Sequence, residues 1–226
     1  QGENVLQNPF AVVVSHDGAN VYVGSSNGDN ISVFARQESG LLGFRTVYRN
    51  GVNGISGLDD VRYLALSPDD AYLYAAGYNS DSLVVFRRSP VDGSLEFVQT
   101  LPGIDGPYSI SISHDLEGER LLAAAWTGDA IHVYGRNWQT GELTFLEQLK
   151  DTNNPNNLNG PVNLVSSADD RNVYAALFDT GSLRRLVSVR HAPLLYNLSP
   201  ASAPAGTSGF ALIVNGSRFA ADSVGL

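Results

Sequence analysis

The chain contains no cysteine and no methionine, only four histidines, and 14 Lys and Arg against 23 Asp and Glu. Without cysteine there are no disulfides, no thiolate metal ligands and no thiol nucleophile, although the compartment stays open. A formal net charge of −9 argues against nucleic acid and anionic membrane surfaces, because holding a phosphate backbone depends on clustered Lys and Arg that release counterions. No apolar run reaches the roughly 18 residues of a membrane-spanning helix. No signal peptide is visible, and a chain that opens QGEN without Met reads as a piece or processed product of a longer protein. What remains is ordinary globular material: 226 residues, 43% hydrophobic and 16% charged, enough to bury a real core.

That material is repetitive. A hydrophobic run, a polar turn and a second hydrophobic run occur as FAVVVSHDGANVYVGS from Phe10, YLALSPDDAYLYAAG from Tyr63, SISISHDLEGERLLAAA from Ser109 and NLVSSADDRNVYAAL from Asn163. The turn serines Ser15, Ser67, Ser113 and Ser167 recur at intervals of 52, 46 and 54 residues, varying with the connecting loops. Inside each copy the spacing is fixed: 12 residues separate Tyr22, Tyr74, Leu122 and Tyr174 from Phe34, Phe86, Tyr134 and Leu186. Three copies continue through Gly40, Gly93 or Gly141, placed where a tight turn needs positive φ, into a further alternating strand.

Each unit is therefore four short antiparallel strands, and no helical periodicity interrupts them. A lone four-stranded sheet cannot bury both faces, whereas sheets packed radially around an axis bury one another. The pattern predicts an all-β chain: propeller blades over about 8–50, 60–103, 106–150 and 160–190, with AVVVS, YLALS, SISIS and NLVSS innermost. The fourth copy lacks the Gly-turn hairpin, so its outer strand is not expected to match the others. The residues at the 12-residue spacing, Phe34 and Phe86 among them, are expected between blades.

From Tyr196 the pattern stops, and Pro200, Pro204 and Gly206 precede GFALIV and an Asn215-Gly216 turn. A linker followed by new β sequence reads as a domain boundary at about 195/196. The Ser-Pro…Ala-Gly opening and the strand ending Asn215-Gly216-Ser217-Arg218-Phe219 resemble the start of an IPT/TIG domain, an immunoglobulin-like sandwich, of which 196–226 would be a truncated part.

The repeats resemble the lactonase-type β-propeller family, through Ser67-Pro68-Asp69-Asp70, Val21-Tyr22-Val23 and Thr140-Gly141-Glu142-Leu143-Thr144-Phe145. The resemblance spans most of 8–188 and implies a ring of seven blades, of which this chain would supply an open arc of four. It also implies an extracellular or cell-surface protein. In members taken to hydrolyse lactones, inner strands often begin Pro-His; here they begin Pro9-Phe10, Pro107-Tyr108 and Pro161-Val162, without imidazole.

Propeller sites lie where inner-strand starts converge. Those starts are Phe10, Arg62, Tyr108 and Val162, followed by Ala11, Tyr63, Ser109 and Asn163. Arg62 is the candidate anion anchor, Tyr63 and Tyr108 the candidate stacking surface, and Asn163 a further polar contact. His16 and His114 sit in Ser-His-Asp turns, where adjacent residues cannot form a triad that requires convergence of separate elements. His132 lies mid-strand on a face expected to be solvated. Asp59-Asp60, Asp69-Asp70 and Asp169-Asp170 read as solvated turns rather than calcium ligands, and Trp126 and Trp138 as core or blade-interface packing. The reading is a non-catalytic binding or scaffold propeller for a small polar ligand, a carbohydrate or a protein, with no catalytic residue, metal or cofactor. The alternative is a sugar-lactonase-type hydrolase.

Overall fold

The structure is a computed structural model, and it describes residues 5–114, 119–150, 158–187, 194–199 and 213–217. Among these there is no helix, and the chain divides into two compact units, residues 1–187 and 188–226.

Blade one comprises β1 (Pro9–Val14), β2 (Asn20–Ser25), β3 (Asn30–Arg36) and β4 (Leu42–Arg49), paired antiparallel in chain order. Blade two repeats this with β5 (Val61–Leu66), β6 (Tyr72–Gly77), β7 (Ser82–Arg88) and β8 (Leu95–Pro102), and blade three with β9 (Pro107–Ile112), β10 (Arg120–Ala125), β11 (Ala130–Arg136) and β12 (Leu143–Leu149). The fourth sheet has three strands among the described residues, β13 (Pro161–Ser166), β14 (Asn172–Leu177) and β15 (Ser182–Val187). The first strands β1, β5, β9 and β13 pack on one another in succession, which makes them the inner strands of a propeller-like array. The second unit shows β16 (Leu194–Ser199) paired antiparallel with β17 (Ile213–Ser217). The rest of the stretch expected to open an immunoglobulin-like domain lies outside the described residues.

Three apolar seams hold the blades together. Tyr22, Ile31 and Val33 of blade one meet Leu73, Ala75, Val84 and Phe86 of blade two. Tyr74, Leu83 and Val85 then meet Ile110, Leu121 and Tyr134 of blade three, and Ala124 and Ile131 meet Leu164, Val173 and Leu177 of blade four. Because both faces of a middle blade are covered, its strands read as continuous apolar runs rather than half-polar ones. His132 follows from this: its face is buried, stacked on Tyr134 and edge-on to Phe145, and not solvated as the sequence pattern predicts. Burial lowers its pKa.

The 12-residue positions all face the preceding blade, so the expectation divides. Phe86 is fully buried, but Phe34 stays partly exposed against Phe44, because among the described residues no blade covers that face. Phe10, Val12 and Val14 of blade one are likewise exposed, as are Val165 and Leu183 of blade four.

Polar latches cross the first two seams at the rim opposite the inner-strand starts. Arg88 Nε donates to Tyr22 Oη at 2.8 Å, Tyr22 Oη donates to the Gly93 carbonyl at 2.9 Å, and Arg88 Nη2 reaches Asn20 Oδ1 at 2.8 Å and Asp17 Oδ2 at 3.1 Å. One blade on, Arg136 Nε donates to Tyr74 Oη at 2.7 Å, and Tyr74 Oη donates to the Gly141 carbonyl at 3.0 Å. Burial pushes both tyrosines up to about 12. Where blade three has Leu122 in place of the tyrosine, the sequence carries Ser188 in place of the arginine. Gly141 has φ +74°, and a Cβ there would stand 2.1 Å from the Tyr72 ring, so both its backbone conformation and its lack of side chain belong to the seam.

Candidate functional site

Each inner strand starts the same way. The residue before it is left-handed: Asn8 (φ 54°), Asp60 (59°), Gly106 (62°) and Gly160 (61°). Asn, Asp and Gly are the residues that adopt this conformation at least cost. Its carbonyl accepts the N–H of the residue just after the second strand, from Ser26, Tyr78, Trp126 and Phe178, at 2.8–2.9 Å. From blade two onward its own N–H is held by the hairpin aspartate of the preceding blade: Asp29 holds Asp60 at 3.0 Å, Asp81 holds Gly106 at 3.0 Å and Asp129 holds Gly160 at 2.9 Å.

Two residues further, each inner strand bulges. The ladder jumps from Pro9 to Ala11, from Val61 to Tyr63, from Pro107 to Ser109 and from Pro161 to Asn163. The skipped residues are Phe10, Arg62, Tyr108 and Val162, and a bulge re-aims the side chain it leaves out of the ladder. The same device in four blades converges these side chains on one rim.

Phe10, Tyr108 and the neighbouring Tyr78 form an aromatic basin around the Arg62 guanidinium. The Arg62 Cζ lies 4.6 Å from the Phe10 ring centre, 5.3 Å from Tyr78 and 5.7 Å from Tyr108. Tyr108 packs edge-on against Phe10 at 5.8 Å, Tyr78 at 6.1 Å and Trp126 at 5.2 Å, and Trp126 reaches Phe178 at 5.6 Å. Asp60 fixes the arginine: Nη2 donates to Oδ2 at 2.7 Å, and Nε lies 2.7 Å from Oδ1. Burial works against the Arg62 charge, but the Asp60 carboxylate and then Tyr108 outweigh it and raise its pKa. The Arg62 side chain keeps 24% of its surface, so the group is held and still reachable.

Of the four residues singled out from sequence, the structure brings Arg62 and Tyr108 together and turns the other two away. Tyr63 and Asn163 follow the bulge and so face the next seam or the neighbouring strand: Tyr63 packs into the core between blades two and three, and Asn163 Oδ1 accepts from Ser109 Oγ at 3.3 Å. Asp60 is not a solvated turn residue, being 6% exposed beneath Arg62. Trp126 joins the basin, partly exposed, rather than a core. Sequence reasoning missed Tyr78, Trp126 and Phe178, although all lie four residues after the second-strand positions Tyr74, Leu122 and Tyr174. The turn histidines serve elsewhere. His16 Nδ1 lies 2.7 Å from Asp70 and His114 Nδ1 3.1 Å from Asp170, each linking one blade to the next. Among the described residues, no group of three or more His, Asp or Glu is arranged to hold a metal ion.

The curated 6-phosphogluconolactonase of Formosa agariphila is 33% identical over 85 residues, 37% of this chain and 24% of that protein. A Bacteroides uniformis crystal structure provisionally named a 6-phosphogluconolactonase superposes with a TM-score of 0.65 at 20% identity, covering 79% of this chain and 55% of that one. The periplasmic gluconolactonase of Pseudomonas aeruginosa gives 0.58 at 22% identity over 80% and 43%. The chain thus spans about a quarter of the curated relative and about half of each solved structure. These likenesses correct the expectation of a non-catalytic scaffold. That expectation rests on missing Pro-His starts, yet the aligned relative carries a lactonase name. The family model described as Lactonase, 7-bladed beta-propeller, matches residues 51–165, half of the chain, and the chain belongs to that family.

Proposed function

We propose that this chain is part of a sugar-lactonase-type hydrolase, with the basin over Arg62 as the place where the lactone ring sits. The observation that carries the reading is the shared bulge, which projects one reachable guanidinium into an aromatic-walled basin at the rim where the inner strands start.

A lactone is an internal ester. Water oxygen adds to the carbonyl carbon, charge develops on the carbonyl oxygen, and the ring C–O bond then breaks, giving a hydroxy acid that releases one proton at neutral pH. The group such a reaction most needs from the protein is a fixed donor where the oxyanion forms. Arg62 suits that role, since its Asp60 pair and ring neighbours hold it without reorganisation. Tyr108 supplies a wall for the ring and steadies the guanidinium. Tyr63 packs against the core beneath the inner strands, and the exposed Asn163 bonds Ser109 of the neighbouring inner strand. The ribbon of β16 and β17 supports a separate β-module after the blades, as the IPT/TIG resemblance implies.

The test is proton release from glucono-δ-lactone and its five-membered isomer, followed by pH-stat in the presence of this chain. Opening faster than buffer with saturation in lactone is the expected outcome. A rate that never departs from buffer at any protein concentration would remove the reading.

A further inference from the structure

Resting on the hydrolase reading, the geometry points to a substrate class: the basin takes an uncharged sugar lactone and discriminates against a phosphorylated one.

The only cation placed over these rings among the described residues is Arg62. Its charge is already matched by Asp60, which lies beneath it and is itself buried, so the pair is close to neutral as a ligand sees it. A phosphate dianion is normally met by unmatched Arg or Lys, or by free backbone N–H groups. Of the four N–H groups that precede the inner strands, those of Asp60, Gly106 and Gly160 are taken, each bonded to an aspartate of the preceding blade.

Those same aspartates set the field. Asp29, Asp81 and Asp129 occupy the hairpins of this rim, and Asp105 and Asp179 stand exposed beside the Gly106 and Gly160 starts. Further basic residues toward this rim are Arg49 and Lys150 at the ends of the outermost strands, with Lys150 Nζ donating to the Gly128 carbonyl at 2.9 Å, and Arg184 and Arg185 of β15, which share with Lys150 a cavity that none of the basin rings lines. A dianion approaching the basin therefore meets like charge on several sides, which costs affinity and slows encounter. A neutral ring meets Phe10, Tyr108 and Trp126, whose faces and edges suit an amphipathic sugar.

The experiment separates recognition from catalysis. Quenching of Trp126 is followed in a Trp138→Phe background, with gluconolactam and its 6-phosphate as stable ring analogues. The neutral lactam is expected to bind at least about 10-fold more tightly in low salt, and the difference should shrink as ionic strength rises. Asp60→Asn keeps a residue that tolerates the left-handed backbone and unmasks Arg62, so it should narrow the preference. Asp105→Asn with Asp179→Asn, both exposed, should narrow it without touching the fold. Equal or tighter binding of the phosphorylated lactam, or no quenching by either, overturns the inference. Preferential neutral binding without turnover of any lactone removes the hydrolase reading and leaves the recognition claim standing.

Discussion

Truncating Phe86 and Phe34 tests the blade packing, because the two residues hold equivalent repeat positions in different surroundings. Phe86 is fully buried in the seam between blades one and two, 6.1 Å from the Tyr48 and Phe97 rings. Phe86→Ala removes a fully packed ring and leaves a cavity, at a cost of about 3–5 kcal/mol. Phe34 faces the open side of blade one, and its ring partner Phe44 is 52% exposed. Phe34→Ala forfeits only the area actually removed from water and leaves no closed cavity, so about 1 kcal/mol is expected. Urea titration followed by tryptophan fluorescence and by far-UV circular dichroism gives both values, provided the two probes coincide. Equal losses of 3 kcal/mol or more would show that something covers the Phe34 face in solution and would refute the open first blade. A loss below about 1 kcal/mol at Phe86 would refute the seam itself.

Four further outcomes are expected. Arg88→Ala should cost about 3–5 kcal/mol, because it leaves Tyr22, Asn20 and Asp17 without their shared buried donor; Arg88→Met should recover part of that loss in the same titration. Gly141→Ala should destabilise by about 1–3 kcal/mol, since it strains a positive φ and forces the Tyr72 ring to move, while Gly40→Ala, with open space around it, should cost less. Asp17 is held at about 2, first by the Ser15 hydroxyl and then by the Ala19 N–H, so its share of stability is complete above the usual carboxylate range and is lost as pH falls through about 2; Asp17→Asn should flatten that limb of the acid-denaturation curve. His132 is buried with its pKa depressed below 6.5, so the unfolded chain takes up the proton first and stability falls as pH drops below about 6.5. Thermal melts between pH 7.5 and 5 should show this slope, and His132→Gln should remove it.

The blades were legible because the turn chemistry repeats in the one-dimensional pattern. Ser15, Ser67 and Ser167 each bond the aspartate two residues on and accept the N–H that starts the second strand, a local device that any copy must keep. The candidate site was half legible. Arg62 and Tyr108 stand out as inner-strand starts, but a bulge is a statement about register between two strands, and no periodicity within one strand reveals that Tyr63 and Asn163 fall on the other face. The aromatic wall left a readable trace in the fixed offset of Tyr78, Trp126 and Phe178 from the second strand, obscured because blade one has Ser26 there. His132 could not be placed from alternation, since alternation predicts one wet face and a blade between two others has none.

Opening of a lactone over Arg62 is tested by comparing Arg62→Gln with His114→Ala in glucono-δ-lactone hydrolysis, with circular dichroism confirming that both remain folded. Removing a preorganised oxyanion donor should lower kcat/KM by about 10²–10³, while His114→Ala, at the opposite rim, should stay within about twofold of the unaltered chain. Full activity in Arg62→Gln, or loss of activity in His114→Ala alone, would contradict it.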